Sequence, residues 1–275
     1  MKCPEFPVGE PFRVQALEAL SLLDSAPETD FDNLVELGRS LFRVPICLVS
    51  LVDKDRQWFK ARAGLDATET PRDISFCGHA ILDREVLVVL DATKDERFHD
   101  NPLVVGGPEI RFYAGAPISL PNGYNIGTVC IISPEVRESF TEVEARQLAG
   151  LAGVAVSAIS VRAMRREMDR ERSEKERLLR ALESVEQPVA LLGEDGGIRY
   201  VNAAFSAICR DYPMPGAPVF GLTSLTADDL DDSRFETSDS YATVLTSGAV
   251  KQNVTLHRDL DGFILVGWGA PNRHS

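Results

Sequence analysis

The sequence predicts an α+β fold in two domains, each an antiparallel sheet flanked by helices, joined by one long helix. Four observations predict it. Short apolar runs alternate with turn residues in two separate regions, as in antiparallel sheets. Helical periodicity flanks the runs of the first region. Residues 161–180 contain no Gly or Pro, and 275 residues suit two domains. The expected boundaries are 1–156, 157–186 and 187–275.

The composition narrows the class of protein. A formal net charge of −13 opposes binding to a phosphate backbone, so no nucleic-acid partner is expected. No run reaches the roughly 18 apolar residues of a membrane span, and the N-terminus lacks a secretory signal. We therefore expect a cytoplasmic protein with no membrane span. The five cysteines lack the spacing of zinc sites, so reduced thiols and no metal site are expected.

Two helices and a strand hairpin open the first domain. Apolar residues recurring every three positions predict a helix over residues 11–23. A second amphipathic helix is expected over residues 29–42, ending before Pro45. The hairpin follows over residues 46–53 and 57–63, with a polar turn between its strands.

A short helix and three more strands complete the first domain. Asp73 or Ser75 can cap the helix, which is expected to run through His79 to Leu82. The strand candidates are residues 86–90, 112–120 and 126–132.

A long helix follows. Thr141 and Glu144 match a capping box, in which two side chains satisfy free amides of the first turn, and the helix is expected to reach Val185. A heptad pattern places eight residues of this helix on one seam. Because two of the eight are charged, the pattern predicts only a short coiled coil. The seam consists of Val161, Met164, Met168, Glu171, Lys175, Leu178, Leu182 and Val185. We expect a homodimer through the helix from Val161 to Val185.

Charges of both signs alternate from Arg162 to Arg180. Although the segment is net basic, alternating signs are typical of a solvated helix with ion pairs between successive turns. We interpret it as a solvated surface and not as a nucleic-acid contact.

The second region predicts a smaller α+β unit. Residues 189–202 are expected to form two strands around an Asp-Gly turn, and residues 203–210 a short helix. An acidic loop or frayed helix is expected over residues 228–239. Two strands over residues 250–257 and 262–268 close the region.

From about Arg13 to Val156, several segments in order along the chain resemble a GAF domain. They are LSLLDSAPETDFDNLVELG, VPICLVSLVDKDRQWFKARAGL, ETPRDISFCGHAI, NPLV, IRFYAGAPI and IGTVCIIS. They are similar to the GAF subgroup found ahead of diguanylate cyclases and histidine kinases. The resemblance implies a sensor domain and a separate signalling partner of the kinase or cyclase type.

From about Leu182 to Trp268, the chain resembles a PAS domain. QPVALLGEDGGIRYVNAAFSAI is similar to the opening of such domains: strand, acidic-Gly turn, a strand ending at Asn202, then helix. GAF and PAS scaffolds host many ligands, and some host none. The resemblance therefore leaves the cofactor unknown.

Cys77 and His79, separated by one Gly, form the first candidate site, and three interpretations stay open. Related GAF photoreceptors attach a bilin through a Cys beside a His. Some GAF proteins reduce free methionine sulfoxide with a thiol, and His79 could lower the pKa of Cys77 for such chemistry. Alternatively, the segment packs a helix under the sheet, since an unpaired Cys is commonly a small buried hydrophobe.

A possible ligand pocket is the second candidate site. Aromatic walls and one guanidinium would suit a planar or anionic molecule. Its candidate residues are Trp58, Phe59, Phe76, Arg111 and Tyr113, together with Cys77 and His79. The alternative is a set of core aromatics with Arg111 in an ion pair to Asp91 or Asp95. The signature of cyclic-nucleotide-binding GAF domains is not legible.

The second region offers little for a cofactor. Cys209 lies in AICRDYP, which departs from the flavin-attachment motif of PAS domains. Haem ligation would depend on His257, because His274 is at the tail. Neither flavin nor haem is favoured.

No phosphate loop, zinc-protease motif, nucleophile elbow or cyclase signature is present in the sequence. We therefore expect a non-catalytic sensory protein of a bacterial type. A thiol-based enzyme using Cys77 and a bilin photoreceptor are the alternatives.

Overall fold

The computed structural model describes residues 1–193, 197–208, 240–247, 250–259 and 262–273. The chain divides into two compact units, Met1–Glu167 and Met168–Ser275. Each unit combines an antiparallel sheet with helices, as the sequence predicts.

The sheet of the first unit has six described strands in the order β3-β2-β1-β6-β5-β4. All neighbouring strands pair antiparallel. The strands are β1 (Ile46–Val52), β2 (Arg56–Ala63), β3 (Glu69–Pro71), β4 (Leu87–Val89), β5 (Phe112–Ser119) and β6 (Asn125–Ser133). The three-residue strand β3 was not predicted, since so short a run carries no periodicity.

Helices flank both faces of this sheet. They are α1 (Glu10–Ala19), α2 (Thr29–Phe42), α3 (Phe76–Ala80), α4 (Pro102–Val105) and α5 (Glu142–Glu183). The limits of α2 match the prediction. Helix α1 ends earlier than predicted, because Ser21 and Asp24 adopt left-handed backbone conformations that no helix continues through. Helix α3 stops at Ala80 and takes its N-cap from Ser75, whose Oγ accepts from the Gly78 amide at 2.8 Å.

The central strand β1 is buried along its whole length because both faces of the sheet are covered. Successive side chains of a strand point to opposite faces. Cys47, Val49 and Leu51 join the cluster that includes α2 and α5. Ile46 and Leu48 join the cluster that includes α3. One strand therefore contacts two separate hydrophobic cores.

A buried charge cluster fastens the N-terminal segment to this sheet. The guanidinium of Arg13 is 1% exposed and binds the Glu10 carboxylate through two hydrogen bonds of 2.7 Å. Arg72, 4% exposed, donates to the same carboxylate. Burial raises the pKa of Glu10, but the two guanidinium partners outweigh it and hold the pKa below its ordinary value.

Helix α5 begins with the predicted capping box. The Glu144 amide donates to Thr141 Oγ1 at 3.2 Å, and Glu144 Oε2 accepts from the Thr141 amide at 2.7 Å. Its 42 residues extend for about 60 Å. Leu148, Leu151 and Ile159 are buried against the sheet.

The opposite side of α5 is solvent-exposed and apolar, with Val154 and Met164 54% and 59% exposed. By length and composition, α5 contains a stretch of 18 residues apolar enough to cross a membrane, of which 28% is buried. One such helix is weak evidence for a membrane span, since a helix packed on a protein core has the same length and composition.

The second unit contains the end of α5, a five-stranded sheet and a short helix among its described residues. The strand order is β8-β7-β11-β10-β9. The elements are β7 (Val189–Leu192), β8 (Ile198–Val201), α6 (Ala203–Ile208), β9 (Ser240–Ser247), β10 (Val250–Asp259) and β11 (Gly262–Arg273). Strand β9 was not predicted. The predicted acidic segment 228–239, Cys209 and His274 lie outside the described residues.

Asn202 organises the start of this unit. Its side chain is fully buried. Its amide nitrogen donates to the carbonyls of Leu182, Val185 and Gln187, at 2.8 to 3.2 Å. Its amide oxygen accepts from the backbone amides of Val189 and Phe205, both at 2.9 Å. One side chain thus joins the end of α5 to β7 and α6.

Candidate functional site

A cavity of about 390 Å³ lies on the α3 side of the first sheet. Its volume is within the range of pockets that hold small molecules. Its wall is mainly apolar and comes from five strands (β1, β2, β3, β5 and β6), from helices α3 and α4, and from the loops after β2 and α4. The lining residues are Ile46, Leu48, Gln57, Phe59, Gly64, Leu65, Asp66, Ala67, Thr70, Phe76, Cys77, Leu103, Gly107, Pro108, Ile110, Tyr113 and Ile132. Asp66 and Ala67 are exposed, so the mouth lies at their loop.

Two polar side chains of the wall keep hydrogen-bonding capacity. Gln57, 5% exposed, accepts from Ser75 Oγ through its amide oxygen. Thr70 Oγ1 is buried and has no partner among the described residues. A buried hydroxyl without a partner carries a desolvation cost that a bound molecule can remove. These groups favour a ligand with polar atoms at one end.

Asn101 holds the loop that closes the other side of the cavity. Its amide nitrogen donates to the Ile74 carbonyl at 3.0 Å, and its oxygen accepts from the Leu103 amide at 2.9 Å. The side chain caps α4, which explains the NPLV segment of the sequence. It places Leu103 and Ile110 over the cavity.

Two thiols and a phenol meet at the deep wall of the cavity. Cys77 Sγ on α3 lies 3.7 Å from Cys130 Sγ on β6. The Tyr113 hydroxyl on β5 lies 3.3 Å from Cys77 Sγ. All three residues are buried, and Cys77 and Tyr113 line the cavity. Fifty-three residues separate the two cysteines in sequence.

Gly115 makes room for the phenol. A Cβ at this position would lie 2.1 Å from the Tyr113 hydroxyl oxygen, so only Gly leaves the hydroxyl where it is. Phe76 packs on the same ring, with centroids 5.2 Å apart, and stacks on Phe98 at 3.9 Å. The hydroxyl is therefore held toward the sulfur.

The two thiols differ in acidity. Burial raises the pKa of Cys77, but hydrogen bonds from neighbours including Cys130 and Tyr113 outweigh it and leave the pKa below its ordinary value. The hydrogen bond to Cys77 and burial raise the pKa of Cys130. The two directions favour Cys77 over Cys130 as the thiol that loses its proton first.

The domain assignment follows from comparison with protein families. Residues 26–159 match the GAF domain model, and residues 176–242 match a PAS domain model. The chain carries a GAF domain followed by a PAS domain. The cavity and the thiol pair therefore belong to the GAF domain.

Two relatives illustrate the range of similarity. A cyclic di-GMP phosphodiesterase of Pseudomonas aeruginosa is 42% identical over 159 residues, which cover 58% of this chain and 27% of that protein. The chain thus spans about a quarter of that relative. The structure of the E. coli DhaR(N)-DhaL complex contains a chain with a TM-score of 0.50 and 14% identity, covering 98% of this chain and 93% of that chain. At this identity the likeness shows the fold alone.

Four of the residues proposed from sequence line the GAF cavity: Phe59, Phe76, Cys77 and Tyr113. Trp58 packs against the opposite core, because neighbouring strand residues face opposite ways. Arg111 donates to the carbonyls of Val104 and Ile110, at 2.9 and 3.3 Å. It does not form the expected ion pair, since Asp91 binds Thr93 and Lys94, and Asp95 binds Arg97.

His79 also lies outside the cavity wall. Its Nε2 lies 3.0 Å from the Lys2 carbonyl, and its ring meets Phe98 edge-on at 4.9 Å. Burial lowers its pKa. The sulfur of Cys77 lies instead beside Cys130 and Tyr113. These two groups, with Thr128 and Ser50, lower its pKa.

A second polar cluster ties α5 to the opposite face of the GAF domain. Arg162 binds Glu28 at 2.8 Å and donates to the carbonyls of Leu20 and Ser21, at 2.8 and 2.9 Å. Glu28 also binds Lys60, whose side chain is fully buried, at 2.6 Å. Burial raises the pKa of Glu28, but hydrogen bonds from Lys60 and Arg162 outweigh it and lower the pKa. The expectation of a solvated helix is wrong for Arg162.

Sequence reasoning missed Gln57, Thr70 and Cys130 as cavity or cluster residues. Gln57 and Cys130 lie inside correctly predicted strands, yet the face each presents depends on strand register. Alternation along β6 could have placed Cys130 on the same face as Ile132. Nothing local marks Thr70, because it lies in the unpredicted strand β3.

Proposed function

We propose that this chain is a non-catalytic cytoplasmic sensory protein whose GAF cavity binds a small uncharged molecule. Helix α5 transmits occupancy of the cavity, in a homodimer, to the PAS domain, which passes the signal to a separate signalling enzyme of the kinase or cyclase class. The observation that carries the proposal is the double coverage of β1. Ile46 and Leu48 line the cavity, while Cys47 and Val49 pack in the α5 cluster.

The step from cavity to helix follows from close packing. Interiors are dense, so a strand displaced on one face shifts what is packed on the other. The Glu28 carboxylate extends the connection, since it binds Lys60 of β2 and Arg162 of α5. A ligand that binds one packing of β1 and β2 more tightly than an alternative packing of the same strands would shift the position of α5.

The wall chemistry defines the ligand class. None of the described residues that line the cavity is Lys or Arg, and the one charged residue is Asp66. An anionic nucleotide would lie there without a counter-charge, at a desolvation cost. Gln57 and Thr70 suit a molecule that is largely apolar with hydrogen-bonding atoms at one edge. This replaces the anionic ligand that Arg111 suggested.

The exposed apolar side of α5 supports the dimer. Val161, Met164 and Met168 are 40%, 59% and 68% exposed and occupy successive seam positions. Contiguous exposed apolar residues on a helix are typical of an interface. The GAF and PAS domains together support a sensory role, and the cyclic di-GMP phosphodiesterase relative supports a link to cyclic di-GMP signalling.

Native mass spectrometry of the full chain tests both parts of the proposal. We expect a dimer that retains a small molecule. Ala67→Trp, at the cavity mouth, should remove the molecule and keep the dimer; Thr68→Trp, the neighbouring exposed residue outside the wall, should keep both.

Met164→Glu should give a monomer that still binds the molecule, whereas Val105→Glu, at an exposed apolar residue of α4, should leave the dimer intact. A monomeric wild-type chain would contradict the dimer. An identical bound molecule in the wild type and in Ala67→Trp would contradict the cavity site.

A further inference from the structure

The thiol pair of the GAF domain is arranged for a reaction that the sensory role does not use. The sulfurs of Cys77 and Cys130 are 3.7 Å apart, which is van der Waals contact. A disulfide requires about 2.05 Å between the sulfurs. The pair is reduced but already adjacent, and the two residues belong to different elements, α3 and β6.

The two sulfurs differ in access. Cys77 forms part of the cavity wall, whereas Cys130, a fully buried residue of strand β6, is not among the residues that line the cavity. A small molecule in the cavity would meet Cys77 first. Cys130 is then placed to react with Cys77 and not with the incoming molecule.

The surroundings favour charge on Cys77. The Tyr113 hydroxyl lies 3.3 Å from its sulfur and can donate to a thiolate, and the pKa of Cys77 lies below its ordinary value while that of Cys130 lies above it. Thiolate is the nucleophilic form of Cys. Cys47 is a natural contrast, because burial raises its pKa to about 12.

We propose that Cys77 and Cys130 form a dithiol site that reduces small hydroperoxides entering the GAF cavity and becomes a disulfide. Cys77 thiolate attacks the outer peroxide oxygen; the O–O bond breaks, and the leaving oxygen takes a proton to give water or an alcohol. Cys77 is then a sulfenic acid. The Cys130 sulfur displaces its hydroxyl group, which leaves as water with the Cys130 proton. Two thiols lose two electrons in total, and one peroxide gains them.

Cys77 is part of the cavity wall that the proposed ligand also contacts. Its chemistry does not depend on a bound ligand, on the dimer or on signalling through α5. The test therefore uses peroxide alone, and its failure leaves the sensory proposal untouched.

The test is oxidation of the full, reduced chain, after removal of any molecule retained in the cavity, with a small excess of hydrogen peroxide, followed by thiol labelling and peptide mapping without reductant. We expect Cys77 and Cys130 to lose their free thiols together and to appear in one cross-linked peptide pair. Cys47 should react at least about tenfold more slowly. Free thiols at both Cys77 and Cys130 after exposed Cys3 has been oxidised would overturn the proposal.

Five variants, two of them controls, separate the roles of the two thiols and the cavity. Cys130→Ser should stop at a sulfenic acid on Cys77, trapped by dimedone, whereas Cys47→Ser should form the disulfide as the wild type does.

Ala67→Trp should slow the loss of the Cys77 thiol, and Thr68→Trp should not, if peroxide enters through the cavity. A disulfide that forms equally fast in Ala67→Trp would show that oxidation follows opening of the fold and would overturn the cavity route. If Cys130 in the Cys77→Ser variant is oxidised and labelled by dimedone as fast as the wild type loses its Cys77 thiol, the assignment of Cys77 as nucleophile would be overturned.

Discussion

Replacing Glu10 with Gln is expected to lower the free energy of unfolding by about 3 kcal/mol, as when one partner of a buried ion pair is removed. Arg13 and Arg72 are 1% and 4% exposed, and both bind this carboxylate. Arg72 depends on it further, because its Nε and one terminal nitrogen have no partner among the described residues. Urea unfolding followed by circular dichroism measures the change. Glu18→Gln, exposed on the same helix, should change it by less than about 0.5 kcal/mol.

The same carboxylate predicts a pH dependence. Its pKa is lower in the folded chain than the ordinary 4.5, so the stabilisation is present above pH 4.5 and is lost as the pH falls through the folded pKa. Other carboxylates contribute in this range, so the difference between wild type and Glu10→Gln isolates Glu10. That difference should shrink on acidification. A constant difference from neutral pH to below the folded pKa would contradict the assigned role.

Gly127→Ala is expected to destabilise the GAF domain by about 3 kcal/mol or more, the upper end for overpacking of an interior, or to prevent folding. A Cβ at Gly127 would lie 2.0 Å from the Ser50 carbonyl oxygen, a backbone atom of the neighbouring central strand. Neither strand can move without disturbing both cores, so the clash acts as overpacking of an interior.

Gly150→Ala on α5 is the matched control. Nothing lies within 4 Å of a Cβ there, and Ala favours a helix over Gly by about 1 kcal/mol, so this variant should be equal to the wild type or more stable. Thermal unfolding of both variants measures the contrast. A Gly127→Ala protein with wild-type stability would show that β1 and β6 are not packed as described.

The parts of the fold that the sequence predicted are those with strong local signals. Helix α2 has one apolar face and the left-handed Arg43 after its last residue, and its predicted limits are correct. The capping box of α5 is a local motif and was also predicted. Strand β3 and helix α4 have three and four residues, too few for periodicity, so tertiary pairing decides them.

The candidate site was less predictable because strand pairing creates it. Cys77 attracted attention through its neighbour His79, yet its partners are Cys130 and Tyr113, brought together by the pairing of β5 with β6. Arg162 appeared to belong to a solvated charged helix. Its contacts depend on carbonyls exposed at Leu20 and at Ser21, whose backbone is left-handed, a feature that no sequence pattern marks.

Hydrogen exchange along α5 tests most directly the central claim that cavity occupancy is coupled to this helix. The comparison is between the chain with its small molecule bound and the same chain after removal of the molecule. We predict slower exchange of the buried segment from Leu148 to Ile159 when the cavity is filled. In Ala67→Trp, which should not hold the molecule, the segment should exchange at the rates of the emptied wild-type chain, both with the small molecule added and without it. Changes confined to the cavity loops, with unchanged rates along α5, would contradict the account.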